Sequence, residues 1–220
     1  MPDLKAVVFD VDGVIVDSKE ANAEFYAVLL EEAGYKRPPR NVIDRYFHLP
    51  MWQTIEKLIG SNDKAEIQRT WDMAHKHSFY PDHLLVFPDE LEGNLASLHK
   101  HFRLAIVTGR IKQGVEVLYS ARKIKKYFDA VVTYEDYTYP KPHPEPLQVA
   151  LKKLDVRPNE AVYIGDSHVD VEAATTAGVW SIHLSPRTHN DATVGITSFD
   201  EVFSAVQKVA KKARGKSDNR

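Results

Sequence analysis

Five short apolar runs set the architecture. Residues 5–9 (KAVVF), 103–108 (RLAIVT), 129–134 (DAVVTY), 161–165 (AVYIG) and 179–184 (VWSIHL) are rich in β-branched side chains and stay apolar without alternating. A strand with one wet face alternates, whereas a strand covered on both faces does not. Helical patterns lie between the later runs, at 112–128, 144–155 and 169–178. The last is closed by Gly178, a residue suited to a helix stop. Strand and helix in alternation predict a parallel sheet with right-handed crossovers. The expected fold is α/β: a Rossmann-like parallel sheet core with helices on both faces and a terminal helix over 198–213.

The rhythm breaks once, between the first run and the second. That interval carries helical patterns at 19–35, 51–60 and 64–80. A lone crossover does not need such length, so residues 17–88 are expected to form an inserted α-helical cap. Residues 1–16 and 89–220 then make the core. Asp17 and Ser18 can cap the first helix of the insert, and VFPDELEG (86–93) punctuates the return. The polar, basic end, 212–220, reads as a frayed tail.

Composition narrows the class. The chain of 220 residues is 43% hydrophobic, enough for a sizeable core, and its net charge of -2 suggests no nucleic-acid surface. It has no cysteine, so neither a disulfide framework nor a thiolate metal site is open to it. The N-terminus lacks a signal peptide's apolar stretch, and no run approaches the roughly 18 residues that span a bilayer. A cytoplasmic protein with no nucleic-acid or membrane partner is expected.

In open parallel sheets, function gathers at the carboxyl ends of the strands. The first run ends in Asp10 and Asp12, within VVFDVDGVIVDS. The second ends in Thr108 and Gly109, and the fourth in Gly165 and Asp166, with Asp170 close behind. Lys141 precedes the helix that leads to the fourth run. Paired carboxylates at the end of a buried strand repel each other and lose solvation, so a cation is called for. Hard oxygen donors of this kind suit Mg²⁺ with room for a substrate phosphate. One carboxylate can attack phosphorus, and a second can protonate the leaving oxygen and later deprotonate water. A hydroxyl and an ammonium can hold the phosphoryl oxygens. A calcium-loop reading of the same stretch fails, because Val8 and Lys19 would fall at the ligating first and twelfth positions.

This ordered set resembles the haloacid dehalogenase superfamily. The strand with Asp-x-Asp-Gly, Thr108 in IVTGR, Lys141, and YIGDSHVDVEAATTAGV correspond to its four motifs. Residues 141–179 are most similar to the phosphoglycolate phosphatase-like phosphatases, and the insert sits where members with a helical cap carry theirs. The resemblance implies Asp10 as nucleophile and Asp12 as general acid/base. It implies Mg²⁺ held by Asp10, the backbone carbonyl of Asp12 and Asp166, with Asp170 behind them. Thr108 and Lys141 would hold the phosphoryl group. Beside the resemblance, Gly109, Arg110 and the cap residues His48 and Trp52 are candidates for contact with a small phosphorylated metabolite, although core packing is the first reading of both Met51 and Trp52. Arg110 departs from the family, in which Asn often follows this Thr or Ser closely. His48 stands where glycine is common.

Alternatives divide on single residues. Dehalogenases of the superfamily lack an acid at the position of Asp12. Phosphonate-cleaving relatives use a cap lysine, but Lys57, Lys64 and Lys76 sit in polar helical contexts. Sugar-phosphate mutases place a basic residue in the cap loop; here HLPMWQ has none, though Arg45 lies nearby, and a mutase is the second reading. A phospho-accepting signalling module uses similar residues in another order and half the length. His75, His77, His83, His99 and His101 are expected at the surface, with His143 a candidate for substrate contact. The sequence leaves the phosphate ester and the oligomeric state open.

Overall fold

The computed structural model describes residues 4–47, 49–76, 79–186 and 191–215. The predicted strands form as β1 (Ala6–Phe9), β2 (Arg103–Val107), β3 (Ala130–Val132), β4 (Ala161–Gly165) and β5 (Trp180–Leu184). A further strand, β6 (Val194–Ile196), was not expected. They pair in the order β3-β2-β1-β4-β5-β6, and each of these pairings is parallel.

Strand alternation explains why the runs are apolar throughout. Val7 and Phe9 of β1 face one apolar cluster, while Ala6 and Val8 face another. The first cluster is closed by α5 (Leu91–His99), α6 (Lys112–Ala121) and α9 (Val202–Gly215), through Leu95, Leu118 and Val206. The second is closed by α7 (Glu145–Leu154) and α8 (His168–Ala177), through Leu147, Leu151 and Ala173. Both faces of the sheet are therefore dry, as a parallel sheet requires.

Between β1 and β2 lie α1 (Lys19–Glu32), α2 (Arg40–Ile43), α3 (Met51–Ile59) and α4 (Lys64–Lys76). They bury an apolar cluster of their own, with Phe25, Leu29, Ile43, Ile55 and Ile67. The chain leaves the sheet and returns at one point. The Asp17 N–H donates to the Val86 carbonyl at 2.8 Å, and the Val86 N–H donates to the Asp17 carbonyl at 3.0 Å.

Element ends depart from expectation for local reasons. Helix α6 stops at Ala121, where Arg122 turns extended, and a 3-10 turn covers Lys125–Tyr127. The terminal helix α9 runs to Gly215, past its expected end at 213 and into the stretch expected to fray; 216–220 lie outside the described residues. Helix α5 begins inside the punctuating stretch 86–93 and continues through 94–99, for which the pattern predicts no element. Among the described residues, no helix is long and apolar enough to cross a membrane.

Candidate active site

The site is built at the carboxyl edge of the central strands. The Asp10 N–H donates to the Ile164 carbonyl at 2.9 Å, so the ladder continues one residue beyond β1 and fixes this backbone. The chain then turns sharply. The Gly13 N–H donates to the Val16 carbonyl at 2.8 Å, and Gly13 has φ of 79°, a left-handed value that glycine adopts freely. Val11, Val14, Ile15 and Val16 bury their side chains and anchor the turn.

The turn sends the two carboxylates to different partners. Asp10 lies 3.1 Å from Lys141 Nζ. Asp12 accepts from Arg110 Nη2 at 2.6 Å and from Nε at 2.9 and 3.1 Å. Asp12 also accepts from the Ser18 hydroxyl and, at 3.4 Å, from the Asn22 amide; both donors lie at the start of the insert.

Lys141 is the hub on the Asp10 side. Its Nζ donates to Asp170 at 2.6 Å and to the Tyr163 hydroxyl at 2.9 Å. Asp170 is satisfied at both oxygens. Lys141 and Tyr163 reach Oδ1, while the N–H and hydroxyl of Ser167 reach Oδ2 and cap α8. Its carboxylate thus orients Lys141 rather than pointing free into the cleft. Burial alone would depress the Lys141 ammonium, but the charges of Asp10 and Asp170 hold it well above its ordinary value.

The charges beside Lys141 are strained. Burial pushes the Asp10 carboxyl well up; Lys141 opposes this, while Asp170, Asp166 and Asp12 add to it. Burial and the neighbouring Asp170 push Asp166 up to about 7. Oxygens of Asp10, Asp166 and Asp170 all lie within 4.8 Å of one another. Carboxylates that resist ionising together are those a divalent cation would relieve. Gly13 is what lets the set close up, since the space a Cβ would fill is taken by Asp166. The donors are hard oxygens at a cleft that also admits water, a set that fits a Mg²⁺-type ion.

Asp12 behaves oppositely. Burial pushes it up, but the charge of Arg110 and the bonds from Arg110, Ser18 and Asn22 bring its carboxyl below the usual range.

A cavity of about 410 Å³ opens over these groups. Asp10, Arg110 and Lys141 line its floor, and Phe25, Tyr26 and Met51 line it from the insert. This size suits a small metabolite. Gly109 lines it too, whereas Thr108 is fully buried and its hydroxyl accepts from the Arg110 N–H at 3.1 Å. Trp52 does not line the cavity; it packs edge-on against Trp71 at 5.6 Å, inside the insert. His48 and His77 lie outside the described residues. Arg45 is exposed and away from the cavity. His83, His99 and His101 are exposed as expected, but His75 is half-buried, stacked 4.4 Å from Trp71. His143 is exposed, and its Nδ1 accepts from the Glu145 N–H at 3.2 Å, so it shapes the start of α7.

Several site residues escaped the motif reading. Tyr163 joins Lys141 to Asp170. Tyr80 accepts from Arg110 and donates to Asn22 at 2.6 Å. His183 lies with Nε2 3.1 Å from the Asp166 carbonyl. Strand parity carried a signal for Tyr163, which shares a sheet face with Val8 and Ala105 beneath Lys141.

A family model described as haloacid dehalogenase-like hydrolase matches residues 7–184. The chain is 30% identical over 183 residues to the pyrophosphatase PpaX of Bacillus cereus (strain G9842), covering 83% of each chain. The structure superposes on a haloacid dehalogenase-like hydrolase from Bacteroides fragilis with a TM-score of 0.80, at 23% identity, covering 90% of this chain and 99% of that one. It also superposes on a protein described as a phosphoglycolate phosphatase, from Haemophilus somnus, with a TM-score of 0.78 at 18% identity, covering 93% and 98%.

Proposed function

The chain belongs to the haloacid dehalogenase-like hydrolase family, and from that premise we propose that it is a Mg²⁺-dependent phosphatase acting on a small phosphate monoester through an aspartyl-phosphate on Asp10. The observation that supports this most is the placing of Asp10: a carboxylate at the cleft floor, 3.1 Å from the Lys141 ammonium and close to Asp166. Attack by a carboxylate on a dianionic phosphoryl group needs positive charge at that point.

In this reading the Asp10 oxygen attacks phosphorus as the bond to the leaving oxygen breaks. Asp12, once it leaves its Arg110 pair and takes a proton from solvent water, gives that proton to the leaving oxygen. In the second half, Asp12 takes a proton from water as the water attacks phosphorus, and Asp10 is released with inorganic phosphate. Lys141 balances the charge on the phosphoryl oxygens, and Asp170 and Tyr163 hold Lys141 in place. A Mg²⁺ held by Asp10, the Asp12 backbone carbonyl and Asp166, with Asp170 behind them, would supply further charge neutralisation when bound. Gly109 and Arg110 present the β2 edge to substrate, and Thr108 acts from beneath by fixing the Arg110 backbone.

We further assign residues 17–88 as a cap that closes over the cleft. Its helices hold an apolar cluster separate from the sheet, and Ser18, Asn22 and Tyr80 reach the Asp12–Arg110 pair. Closure would exclude water from the phosphoryl group. A sugar-phosphate mutase is the second reading: it would need a cap cation for a second phosphate, and Lys19 of the insert lines the cavity whereas Arg45 does not.

The test is a screen of small phosphorylated metabolites for phosphate release with Mg²⁺ and with EDTA. Turnover of monoesters in Mg²⁺ alone is expected. No release from any ester, or full turnover in excess EDTA, would sink the assignment.

A further inference from the structure

Arg110 is more than Asp12's counter-ion. It is about nine-tenths buried at the cleft floor and lines the cavity. Of the five N–H donors on a guanidinium, that on Nε reaches Asp12, and those on Nη2 reach Asp12 and the Tyr80 hydroxyl at 3.1 Å. Nη1 has no partner among the described residues. Its Cζ lies 5.5 Å from the Tyr80 ring centroid, a cation–π contact beside the hydrogen bonds to Asp12 and Tyr80 that hold the fork. A buried cation with two idle donors, held rigid at the edge of a cavity, is a prepared anion receptor.

Its place in the cleft says which anion. The phosphoryl group being transferred belongs to Asp10 and Lys141. Arg110 instead stands beside Asp12, the residue that serves the leaving oxygen. Resting on the phosphatase reading, we propose that Arg110 selects substrates by binding an anionic group carried on the leaving portion, a carboxylate or a second phosphate, through Nη1. The same contact draws the guanidinium from Asp12 and frees that carboxylate to turn toward the leaving oxygen. Substrate choice and the release of Asp12 are then one event, and an ester with an uncharged leaving portion is a poor substrate because it leaves the ion pair closed.

Two matched pairs of alkyl monoesters separate the anion sources: phosphoglycolate against ethyl phosphate, and ethylene glycol bisphosphate against 2-hydroxyethyl phosphate. A charged hydrogen-bonded contact corresponds to about 10–100-fold in kcat/KM. The native protein should prefer the anionic member of one pair by that factor, and the pair that shows it names the anion. Arg110→Met should erase the preference. Arg110→Lys, which keeps the charge and loses the fork, should cut it at least threefold (roughly, from the loss of paired donors) and provides the ratio if the Met variant does not fold. Binding is read separately on Asp10→Asn protein in Mg²⁺, by calorimetry with pyrophosphate and inorganic phosphate. There, Arg110→Met should weaken pyrophosphate about tenfold more than phosphate. The preference absent from the native protein, or both members of each pair falling equally in the Arg110 variants, would overturn the assignment. If no ester is hydrolysed but the calorimetric difference holds, the phosphatase reading fails and the role of Arg110 stands.

Discussion

Gly13 and Asp166 share a space that only one of them can fill: a Cβ on Gly13 would lie 2.1 Å from Asp166 Oδ2. The turn after β1 and the loop after β4 therefore interlock through the absence of a side chain. Gly13→Ala should push Asp166 away and strain a backbone held at φ of 79°, costing about 1–3 kcal/mol of stability. The Mg²⁺ concentration for half-maximal activity should rise about tenfold, since one ligand is displaced. A metal titration of activity checks it, and an unchanged midpoint would mean that Asp166 does not hold the ion.

Asp10 and Asp12 should fail differently. Asp10→Asn removes the proposed nucleophile and should abolish turnover. Asp12→Asn removes a proton donor and base, a loss of roughly 10²–10⁴ in rate. The loss should be smaller on an aryl phosphate, whose leaving group departs without a proton, than on an alkyl phosphate. Phospho-Asp10 should accumulate in this variant, visible by rapid quench and mass spectrometry. Equal losses with no trapped phospho-enzyme would reverse the division of labour.

Tyr163→Phe should lower kcat more than it raises KM. The hydroxyl lies 2.9 Å from Lys141 and 3.0 Å from Asp170, so its loss leaves the ammonium in place but less firmly aimed. About a tenfold drop in kcat, with about 1 kcal/mol lost from stability in urea, is the expected size for one buried hydrogen bond. A variant with native kcat would show that Lys141 is held by Asp10 and Asp170 alone.

Without metal, the site should oppose folding as pH rises. Asp166 is pushed up to about 7, against about 3.9 in an unfolded chain. Between those values the folded protein binds the proton more tightly, so this group's contribution to stability falls from about pH 4 to about pH 7. Asp10 is shifted in the same direction. Thermal melts in EDTA should therefore show Asp166→Asn gaining on the native protein from pH 5 to pH 8. Mg²⁺ should stabilise the native protein more at pH 8 than at pH 5, because it competes with protons. A stability difference between variant and native protein that is flat with pH would refute the shift.

The sheet was legible because its strands are dry on both sides. Residues 6–9 and 161–165 are apolar without gaps, and a chain can bury both faces in few ways. The order of carboxylates along those strands made the cluster of Asp10, Asp166 and Asp170 foreseeable. Strand β6 was not foreseeable: three residues, one of them glycine, form no run. Helix α5 hid behind Gly93 and Asn94, which weaken its intrinsic propensity. The partner of Asp12 was hidden for a different reason. Arg110 lies 98 residues away in sequence, and no spacing rule ties a turn after one strand to a turn after its neighbour. Met51 and Trp52 open the same helix, where an aromatic or a thioether can face either a cavity or its own core; Trp71 draws Trp52 into the core, while Met51 lines the cavity.

The pairing of Asp17 with Val86 has an evolutionary consequence. The exit from the sheet and the re-entry are hydrogen-bonded neighbours, so the helices between them hang from the fold as a side loop closed at its neck. Joining the two residues directly would leave every parallel pairing of the sheet in register. A segment spliced at that neck leaves the backbone that carries Asp10, Lys141 and Asp166 on the far side of the closure, and replaces the contacts that Ser18, Asn22 and Tyr80 make to Asp12 and Arg110. The cleft wall supplied by Phe25, Tyr26 and Met51 can thus drift on its own, while the sheet keeps the groups that meet the phosphoryl and the anion beside it.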